Sequence, residues 1–576
     1  MGAEKRGEEK TLLAEDGQAV APEGGGEPRV WKGIRSAVMS ESGLIVGVSG
    51  LRGIVGESLT PEVAVRYAAS FGTWLQEQFE DRTPVVLIGS DGRLGWDSIY
   101  KAAISGLLGS GCRVREVMVA MTPTVGVQCD LVGADAALII TASHNPQEWN
   151  GIKILLRKAS WKNAVGSDGR GVVDQGVSDA CAPDAATAQE IVSRFQEGKI
   201  EWWDGDEVCE TRVDTDTEDP HCLRVLNACE KAMGAEDHYF WDWFEKRLKP
   251  TIVIDSVNCS GGLISKIMFS ETPVRAIHLY GEGTGIFPHT PEPTRENLSG
   301  AGGLCDVVPG VKADVGFAQD PDADRLAVVD ELGEYIGEEY TMVLCAMALM
   351  EARIHRGGQL YSEQGERRAG SPSHQSKGKP MFVVNLSTSR MIDDVAAHYG
   401  AEVVRTAVGE ANVVEAMKKL TSQGRDVVLG GEGNGGVIWA EVTYVRDSLS
   451  GMALILSLMA RTGKTVSELV SMVNGMGPTA EVRKNGYTIL KIKSDLVSKT
   501  DAMPVVEHLH AVYSKQDDCR VDLVDGIRID WDERGVWAHV RASNTEAIMR
   551  VIVEAPSEDE AKRVAGEIDG HIAQVG

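Results

Sequence analysis

The sequence has few basic residues for its acid content. Its 576 residues include 58 lysines and arginines against 85 aspartates and glutamates, and the formal net charge is −27. This charge disfavours a general nucleic-acid or anionic-membrane surface, since both partners are polyanions. We therefore expect no nucleic-acid and no membrane partner. A phosphorylated ligand would need a local cluster of arginine and lysine side chains inside a cleft.

Zinc-type cysteine spacing and long apolar runs are also missing. The ten cysteines are scattered, without a C-x-x-C pair or a His-Cys cluster, and are expected to be buried or free thiols of a reducing compartment. The apolar run at 452–460 is far too short for a membrane helix. No charged start with an apolar core follows Met1, so we expect no secretory signal and a cytoplasmic location.

The length predicts several domains, because single cores rarely exceed about 250–300 residues. Residues 1–41 are rich in Glu, Gly, Lys and Ala without apolar periodicity, which predicts a disordered tail or a start-site artefact. Apolar strands then alternate with helical segments, as at 85–88, 137–140 and 251–255. This alternation predicts mostly parallel α/β sheets with ligands beyond the carboxyl ends of the strands.

The last hundred residues change character. Three apolar segments at 527–531, 536–540 and 549–553 are joined by short turns, which predicts an α+β domain with an antiparallel sheet. Two other stretches, 157–218 and 355–379, are polar and longer than compact connections usually are. Both are predicted to be insertions that form mobile surface loops, and the sequence assigns no role to them.

Two short segments far apart carry reactive side chains. The serine loop, residues 141–146, is Thr-Ala-Ser-His-Asn-Pro and places Ser143 beside His144. The aspartate loop, residues 320–325, is Asp-Pro-Asp-Ala-Asp-Arg and holds three carboxylates at alternate positions. A serine hydroxyl is able to carry a phosphoryl group, and carboxylates are ligands for a Mg²⁺-type ion. Together they indicate metal-assisted phosphoryl transfer through a phosphoserine.

An EF-hand calcium loop is the main alternative for the aspartate loop. Its acidic positions one, three, five and twelve match Asp320, Asp322, Asp324 and Glu331. The EF-hand requires glycine at position six, where this chain has Arg325, and it requires flanking helices rather than the apolar strands predicted here. We exclude the EF-hand on both grounds. For the serine loop, the alternative is an ordinary turn.

Both loops resemble motifs of the α-D-phosphohexomutase family, T-[AG]-S-H-N-P and a metal loop close to D-G-D-G-D-R. The glutamate loop, residues 431–436, resembles the sugar-recognition loop of that family. The terminal loop, residues 541–546, resembles its phosphate-binding loop. Alone, either would fit a plain turn, but four motifs in family order extend the resemblance over about 44–572.

The resemblance implies three similar mixed-sheet α/β domains followed by a C-terminal α+β domain with an antiparallel sheet. The implied boundaries are 42–221 for the serine loop, 222–336 for the aspartate loop, 337–475 for the glutamate loop and 476–576 for the terminal loop.

The resemblance also implies a role for each site residue. Phosphorylated Ser143 would donate its phosphoryl group to a hexose monophosphate, giving a hexose 1,6-bisphosphate that also serves as activator. Lys153 would be an acid/base or phosphate-contacting residue, Arg325 would contact the phosphoserine, and His144 would bind sugar or phosphate or support the loop. One Mg²⁺ per subunit would bind Ser143, Asp320, Asp322 and Asp324. The implied substrate ligands are Arg52, Arg93, Glu432, Asn434, Arg541, Ser543, Asn544 and Thr545.

The chain departs from the family motifs at several positions. Pro321 and Ala323 replace the usual glycines of the metal loop, which predicts a stiffer loop with its ligands intact. Asn434 stands where many members have serine, and Gly436 where many have histidine, so the contact with the sugar is expected to differ.

The form of the glutamate loop, with residues 446–449 after it, is most similar to members assigned as phosphoglucosamine mutases. We therefore expect interconversion of glucosamine 6-phosphate and glucosamine 1-phosphate. A phosphomannomutase/phosphoglucomutase is the close alternative. A non-catalytic sugar-phosphate sensor and a metal-dependent phosphatase are alternatives of other classes. The sequence predicts no oligomeric state and does not show whether Ser143 is phosphorylated at rest.

Overall fold

A computed structural model describes most of the chain after residue 42. The described residues are 43–79, 82–158, 178–204, 209–214, 217–234, 244–270, 272–355, 378–478, 480–481, 486–495, 502–542 and 548–575. The predicted tail at 1–41 lies outside them, as do Ser543, Asn544 and Thr545 of the terminal loop. Among the described helices, none combines the length and the apolar composition that crossing a bilayer requires.

Three successive sheets are built on one strand pattern. Their strands are β1 (Ile45–Gly47), β2 (Gly50–Ile54), β3 (Val85–Ser90), β4 (Arg113–Val119), β5 (Ala136–Ile140), β6 (Trp149–Leu156), β7 (Thr211–Val213), β8 (Thr251–Asp255), β9 (Arg275–Leu279), β10 (Val315–Gln319), β11 (Leu326–Val329), β12 (Pro380–Asn385), β13 (Glu402–Thr406), β14 (Asp426–Glu432) and β15 (Gly436–Ile438). The orders β4-β3-β5-β6, β9-β8-β10-β11 and β13-β12-β14-β15 are equivalent. In each, three parallel strands are followed by one antiparallel strand. The first sheet is extended by β1 and β2 at one edge and by β7 at the other.

Helices pack between and against these sheets. They are α1 (Pro61–Gln76), α2 (Trp96–Gly109), α3 (Thr122–Val132), α4 (Ala185–Glu197), α5 (Glu218–Met233), α6 (Gly261–Ser270), α7 (Arg295–Leu298), α8 (Leu304–Val311), α9 (Glu338–His355), α10 (Met391–Tyr399), α11 (Glu410–Ser422), α12 (Ser448–Thr462) and α13 (Val466–Asn474). Helix α1 begins as its sequence predicts: Thr60 Oγ1 accepts the N–H of Val63, and Pro61 takes the first helical position. Its apolar residues Tyr67, Phe71 and Trp74 are buried.

The shared pattern places three loops at equivalent positions. Each loop follows the third parallel strand of its sheet and leads into the antiparallel strand. The serine loop lies between β5 and β6, the aspartate loop between β10 and β11, and the turn of the glutamate loop between β14 and β15. Since ligands bind beyond the carboxyl ends of parallel strands, all three loops are positioned for one site.

The C-terminal part forms an antiparallel sheet. Its strands are β16 (Thr488–Asp495), β17 (Arg520–Asp522), β18 (Ile527–Trp531), β19 (Val536–Ala542) and β20 (Ile548–Ala555), in the order β16-β20-β19-β18-β17. Helices α14 (Ala502–Tyr513) and α15 (Glu558–Ile572) share a core with this sheet. The predicted fold class, three similar mixed α/β units and an antiparallel α+β unit, is confirmed.

The prediction that 157–218 forms a mobile surface loop is wrong for the described residues of this stretch. Helix α4 lies there, and Phe195 packs edge-on against Tyr67 of α1 with ring centroids 5.3 Å apart. Ala188, Ile191 and Phe195 are buried at helical spacing, a pattern that the surrounding polar residues obscured. Strand β7 extends the first sheet. The boundary between residues 221 and 222 falls inside α5, and most of 355–379 lies outside the described residues.

A buried polar contact joins the last sheet to the third. Ser387 Oγ lies 2.9 Å from Nδ1 of His539, and Nε2 of His539 lies 2.7 Å from the carbonyl oxygen of Asp525. Because a carbonyl only accepts, Nε2 carries the hydrogen and Nδ1 accepts from Ser387. Burial lowers the pKa of His539 to about 4, although the Asp525 carbonyl and carboxylate oppose that shift. The neutral ring is therefore part of this contact.

This contact is expected to weaken in acid. A histidine whose pKa is lowered from 6.5 by folding stabilises the protein above that value, and the contribution is lost as the pH falls towards 4. Between pH 7 and pH 5 the loss should be about 2 kcal/mol. Thermal unfolding midpoints at the two pH values measure it, with His539→Gln as the control that should show a smaller acid shift. An equal shift in both proteins would contradict the assignment to His539.

Candidate active site

Ser143 has a strained backbone and a directed hydroxyl. It follows β5 with φ of +51°, a left-handed conformation that residues other than glycine seldom adopt. Its N–H donates to Thr141 Oγ1 at 2.8 Å, and its hydroxyl donates to Oδ2 of Asp320 at 2.9 Å. The residue is only 1% exposed. The serine and aspartate loops, 177 positions apart in the chain, thus meet at one hydroxyl.

Arg93 lies behind the serine loop rather than in the cleft. It is fully buried, and its guanidinium donates to Asp91 Oδ2, to the carbonyl of Ser143 and to the carbonyl of Trp149. With its donors directed at the protein, it holds the strained loop in place. These contacts favour positioning of Ser143, and the role of Arg93 in substrate binding stays a prediction without support from them.

The aspartate loop is buried and held from several sides. Asp320, Asp322 and Asp324 are each 0% exposed. Asp322 Oδ2 accepts from Thr122 Oγ1 at 2.7 Å, so the start of α3 fixes the loop. Ala323, where a glycine was expected from the family motif, has φ of +52°. The loop therefore keeps a glycine-type conformation in spite of its side chain.

The three carboxylates are too close together to ionise without a counter-cation. Burial, together with the charges of Asp322 and Asp324, raises the pKa of Asp320 to about 8, although Arg325 and Lys153 oppose the shift. Burial also raises the pKa of Asp324, but the neighbouring cations Arg446 and Lys153 lower it more, and it lies below its usual range. The negative charge of this loop favours binding of a cation.

This donor set fits a hard divalent cation. One oxygen of each of Asp320, Asp322 and Asp324 lies within 4.8 Å of the others. Oδ1 of Asp322 and Oδ1 of Asp324 are buried and accept no hydrogen bond from the part of the chain that the structure describes. Unsatisfied buried carboxylate oxygens are rare in folded proteins, and Mg²⁺ prefers oxygen ligands. The cluster is the structure's candidate metal site.

Basic side chains lie beside these carboxylates and beside the serine loop. Lys153 on β6 donates to Asp322 Oδ2 at 2.5 Å and to Asp324 Oδ2 at 2.9 Å. Burial lowers the pKa of Lys153, but the two aspartates raise it more, so the ammonium stays charged. Arg52 donates to Asn145 Oδ1 at 2.9 Å, which fixes it beside the serine loop.

Two more predicted residues face the serine. Nε of Arg325 is buried, lies 3.9 Å from Oδ1 of Asp324 and has no hydrogen-bond partner among the described residues. His144 places Nδ1 3.4 Å from the Ser143 hydroxyl oxygen. The Arg325 charge, burial and the Arg52 charge hold the pKa of His144 well below its usual range. His144 is therefore neutral at physiological pH.

The glutamate loop meets the aspartate loop from the third sheet. Oε1 of Glu432 accepts from Asn385 Nδ2 at 2.7 Å and from the N–H of Gly409 at 3.2 Å. Oε2 accepts from Arg446 Nη1 at 2.8 Å. Asn434 caps the turn by accepting the N–H of Gly436 at 3.2 Å. Glu432 is fixed in direction, and its role as a sugar ligand stays a prediction.

Arg541 lies at the end of β19 with Arg550 opposite on β20. Burial lowers the pKa of Arg541, the Asp525 carboxylate raises it, and the Arg550 charge lowers it again. Its Nε is buried and has no hydrogen-bond partner within the described ranges. Two guanidinium groups side by side attract an anion. Ser543, Asn544 and Thr545 lie outside the described residues, and their phosphate-binding role stays a prediction.

Sequence analysis missed several residues of the site. Arg446, which precedes α12, bridges Glu432 and Asp324. Asn385 at the end of β12 and Thr122 at the start of α3 hold Glu432 and Asp322. A single arginine, asparagine or threonine outside a motif carries no signal of its own. The one available hint was position, since each follows or precedes a predicted strand or helix of an α/β unit.

Four family models match successive parts of the chain. They describe the phosphoglucomutase/phosphomannomutase alpha/beta/alpha domains I, II and III and the C-terminal domain. The matched residues are 43–161, 240–333, 366–475 and 492–571. Together these matches cover more than half of the chain.

Full-length relatives agree with these matches. A protein of Thermococcus kodakarensis named phosphoglucomutase/phosphomannomutase is 31% identical over 521 residues, which cover 90% of this chain and 96% of the relative. A Methanopyrus kandleri protein named "probable phosphoglucosamine mutase" is 31% identical over 527 residues, covering 91% and 97%.

Solved structures agree in fold. A phosphoglucomutase/phosphomannomutase family protein of Burkholderia thailandensis has a TM-score of 0.64 at 21% identity, covering 92% of this chain and 98% of the other. The open form of the Paramecium phosphoglucomutase parafusin has a TM-score of 0.61 at 17% identity, covering 92% and 95%.

Proposed function

The chain belongs to the phosphoglucomutase/phosphomannomutase family, and from that premise we propose that it is a phosphohexomutase acting through phosphorylated Ser143. The proposed reaction interconverts hexose 6-phosphate and hexose 1-phosphate. The observation that supports it most is the hydroxyl of Ser143, 2.9 Å from Asp320 Oδ2 in the buried carboxylate cluster. A hydroxyl directed at metal-type ligands and surrounded by Arg52, Lys153 and Arg325 is suited to carrying a phosphoryl group.

In the proposed reaction, the bond between phosphorus and Ser143 Oγ breaks while a bond forms to the free hydroxyl of a hexose monophosphate. The sugar hydroxyl loses its proton and the departing Ser143 Oγ gains one, and neutral His144, with Nδ1 3.4 Å from that oxygen, would relay the proton between them. The product is a hexose 1,6-bisphosphate. Transfer of its other phosphate back to Ser143 completes the turnover, and added bisphosphate would activate the enzyme by phosphorylating Ser143.

The carboxylate cluster would hold the metal of this reaction. Asp320, Asp322, Asp324 and an oxygen on Ser143 are the proposed ligands of one Mg²⁺ per subunit. Such an ion supplies positive charge that offsets the charge developing on the phosphoryl group. Lys153 would keep its aspartate partners oriented, and Arg325, whose Nε forms no hydrogen bond within the described residues, would contact the phosphoserine.

The two ends of the substrate would bind at two places. The phosphate that is not transferred would bind Arg541 together with Ser543, Asn544 and Thr545, while Glu432 and Asn434 would contact the sugar hydroxyls. One reaction centre and one phosphate site accommodate a phosphate at either end of the hexose, provided that the substrate reverses between the two transfers.

We propose glucosamine 6-phosphate as the preferred substrate, with glucosamine 1-phosphate as product. The glutamate loop and residues 446–449 support this, and so does the name of the Methanopyrus relative. The Thermococcus relative carries the name of the alternative, phosphoglucomutase/phosphomannomutase. One amine or one epimeric hydroxyl separates these substrates.

The expected result is a higher kcat/KM for the amino sugar, by about tenfold or more, since one lost hydrogen bond to a buried group changes specificity by at least that factor. Glucosamine 6-phosphate, glucose 1-phosphate and mannose 1-phosphate would be compared with Mg²⁺ and a trace of the matching 1,6-bisphosphate. A preference for glucose or mannose would contradict the amino-sugar assignment. No turnover on any of them, with Ser143 phosphorylated, would favour a non-catalytic sensor.

A further inference from the structure

We propose that Arg446 is a positioning residue that fastens the glutamate loop to the aspartate loop. Its Nη1 donates to Glu432 Oε2 at 2.8 Å and its Nη2 donates to Asp324 Oδ2 at 2.6 Å. Its Nε lies 3.3 Å from Oε2 of Glu410. One guanidinium therefore joins carboxylates of the second and third sheets. The proposal rests on the proposed function, because Glu432 and Asp324 have roles in that reaction.

The missing side chain at position 436 creates the space for this arginine. A Cβ added to Gly436 would lie 2.3 Å from Cδ and 3.1 Å from Cγ of Arg446. Gly436 does not have a positive φ, so its backbone would accept another residue. Glycine is required there for space alone. A side chain at 436 and the observed position of Arg446 exclude each other.

The backbone of Arg446 is fixed as firmly as its side chain. Its N–H donates to Glu410 Oε1 at 3.0 Å. The next residue, Asp447, caps α12 and donates its own N–H to the carbonyl of Val437. Oδ2 of Asp447 lies 3.2 Å from Nε2 of the buried His221. Arg446 is 7% exposed, so it is a permanent part of the framework.

The position of Arg446 has opposite consequences for the two loops. Its charge holds Glu432 in one orientation, which favours sugar binding. The same charge lies on Oδ2 of Asp324, while Oδ1 of Asp324 has no hydrogen-bond partner among the described residues. A fixed cation beside metal ligands repels a second cation. Arg446 should therefore favour the sugar and weaken the metal site.

Magnesium titration of the substrate-free protein tests the electrostatic part. In Arg446→Met, which keeps most of the apolar stem and loses the charge, Mg²⁺ should bind about tenfold more tightly by calorimetry. In Arg446→Lys, which keeps the charge, the affinity should stay within about twofold of wild type. Unchanged or weaker Mg²⁺ binding in Arg446→Met would overturn the proposal. Weaker binding would mean that Arg446 supports the metal ligands instead of repelling the ion.

Kinetics test the positioning part. Both variants should raise KM for the sugar phosphate by about tenfold, because neither side chain forms the two-pronged contact of a guanidinium. A fall in kcat at unchanged KM would contradict a role through Glu432. If the chain is not a mutase, neither the wild type nor the variants will show turnover. The magnesium titration still decides the electrostatic role of Arg446 in that case.

A double-mutant cycle tests the dependence on Gly436 without any ligand. Gly436→Ala should lower the thermal unfolding midpoint by about 3 °C in the wild-type background. In the Arg446→Ala background the same substitution should lower it by about 1 °C, because the clashing Arg446 atoms are gone and only the 3.0 Å approach to Asn434 Oδ1 remains. Gly47→Ala is the control in a strand, since an added Cβ there meets nothing within 4 Å. Equal losses in both backgrounds would overturn the proposal.

Discussion

A Ser143→Ala variant is expected to lose phosphohexomutase turnover by about 10⁴-fold or more, as removal of a covalent nucleophile usually does. The variant lacks the oxygen that carries the phosphoryl group in the proposed reaction. The expected loss is in kcat, measured with saturating sugar phosphate, Mg²⁺ and a trace of hexose 1,6-bisphosphate. Intact-mass measurement should show phosphate on the wild-type chain and none on the variant.

A second substitution separates chemistry from folding. Ser143 has φ of +51°, which glycine adopts without strain, so Ser143→Gly should be equally inactive yet more stable by about 1 kcal/mol. Both variants should still bind the sugar phosphate, because its proposed ligands remain. Turnover within about tenfold of wild type in either variant would refute the phosphoserine mechanism.

An Asp320→Asn variant is expected to lose metal-dependent turnover by about 10³-fold and to gain stability when metal is absent. Burial raises the pKa of Asp320 to about 8, so ionising it opposes folding of the metal-free protein at neutral pH. The neutral amide removes this penalty, which is on the order of 4 kcal/mol at pH 7. The wild-type protein without metal should itself lose stability as the pH rises from about 4 to 8.

Thermal unfolding with and without magnesium measures this effect. The wild-type midpoint should rise on adding Mg²⁺, whereas that of Asp320→Asn should start higher and respond little. Asp330→Asn is the control: Asp330 is a buried carboxylate that accepts backbone N–H groups of Leu332 and Glu334. Its variant should keep the full magnesium response. A lower metal-free midpoint for Asp320→Asn would contradict the repulsion among the three carboxylates.

The sequence was sufficient to predict the local structure of the aspartate loop and the serine loop. Asp320, Asp322 and Asp324 follow a predicted strand at alternate positions, and β10 and β11 flank them as expected. Ser143 follows β5 in the same way. Strands and the turns after them are local features, so apolar runs and motif spacing predict them without long-range information.

Local patterns were insufficient where burial changes the role of a polar residue. Arg93 has the sequence features of a phosphate ligand, but its donors are directed at Asp91 and at backbone carbonyls. The polar stretch around α4 was predicted as a loop, yet Ile191 and Phe195 are buried. The exposed polar residues dominate the mean hydropathy of this stretch. The buried apolar face of the helix is therefore not apparent from composition.

By itself, the sequence determined the fold class, the family and the carboxylate cluster, and it singled out Ser143 as the candidate nucleophile, because each depends on motifs of residues close together in the chain. The tertiary structure alone decided what meets across sheets. It brought Ser143 to Asp320, left Oδ1 of Asp322 without a hydrogen-bond partner in the described part of the chain, and placed Arg446 in the space above Gly436. These contacts join positions more than a hundred residues apart or depend on a missing side chain, and such relations exist only after the three repeated units have packed together.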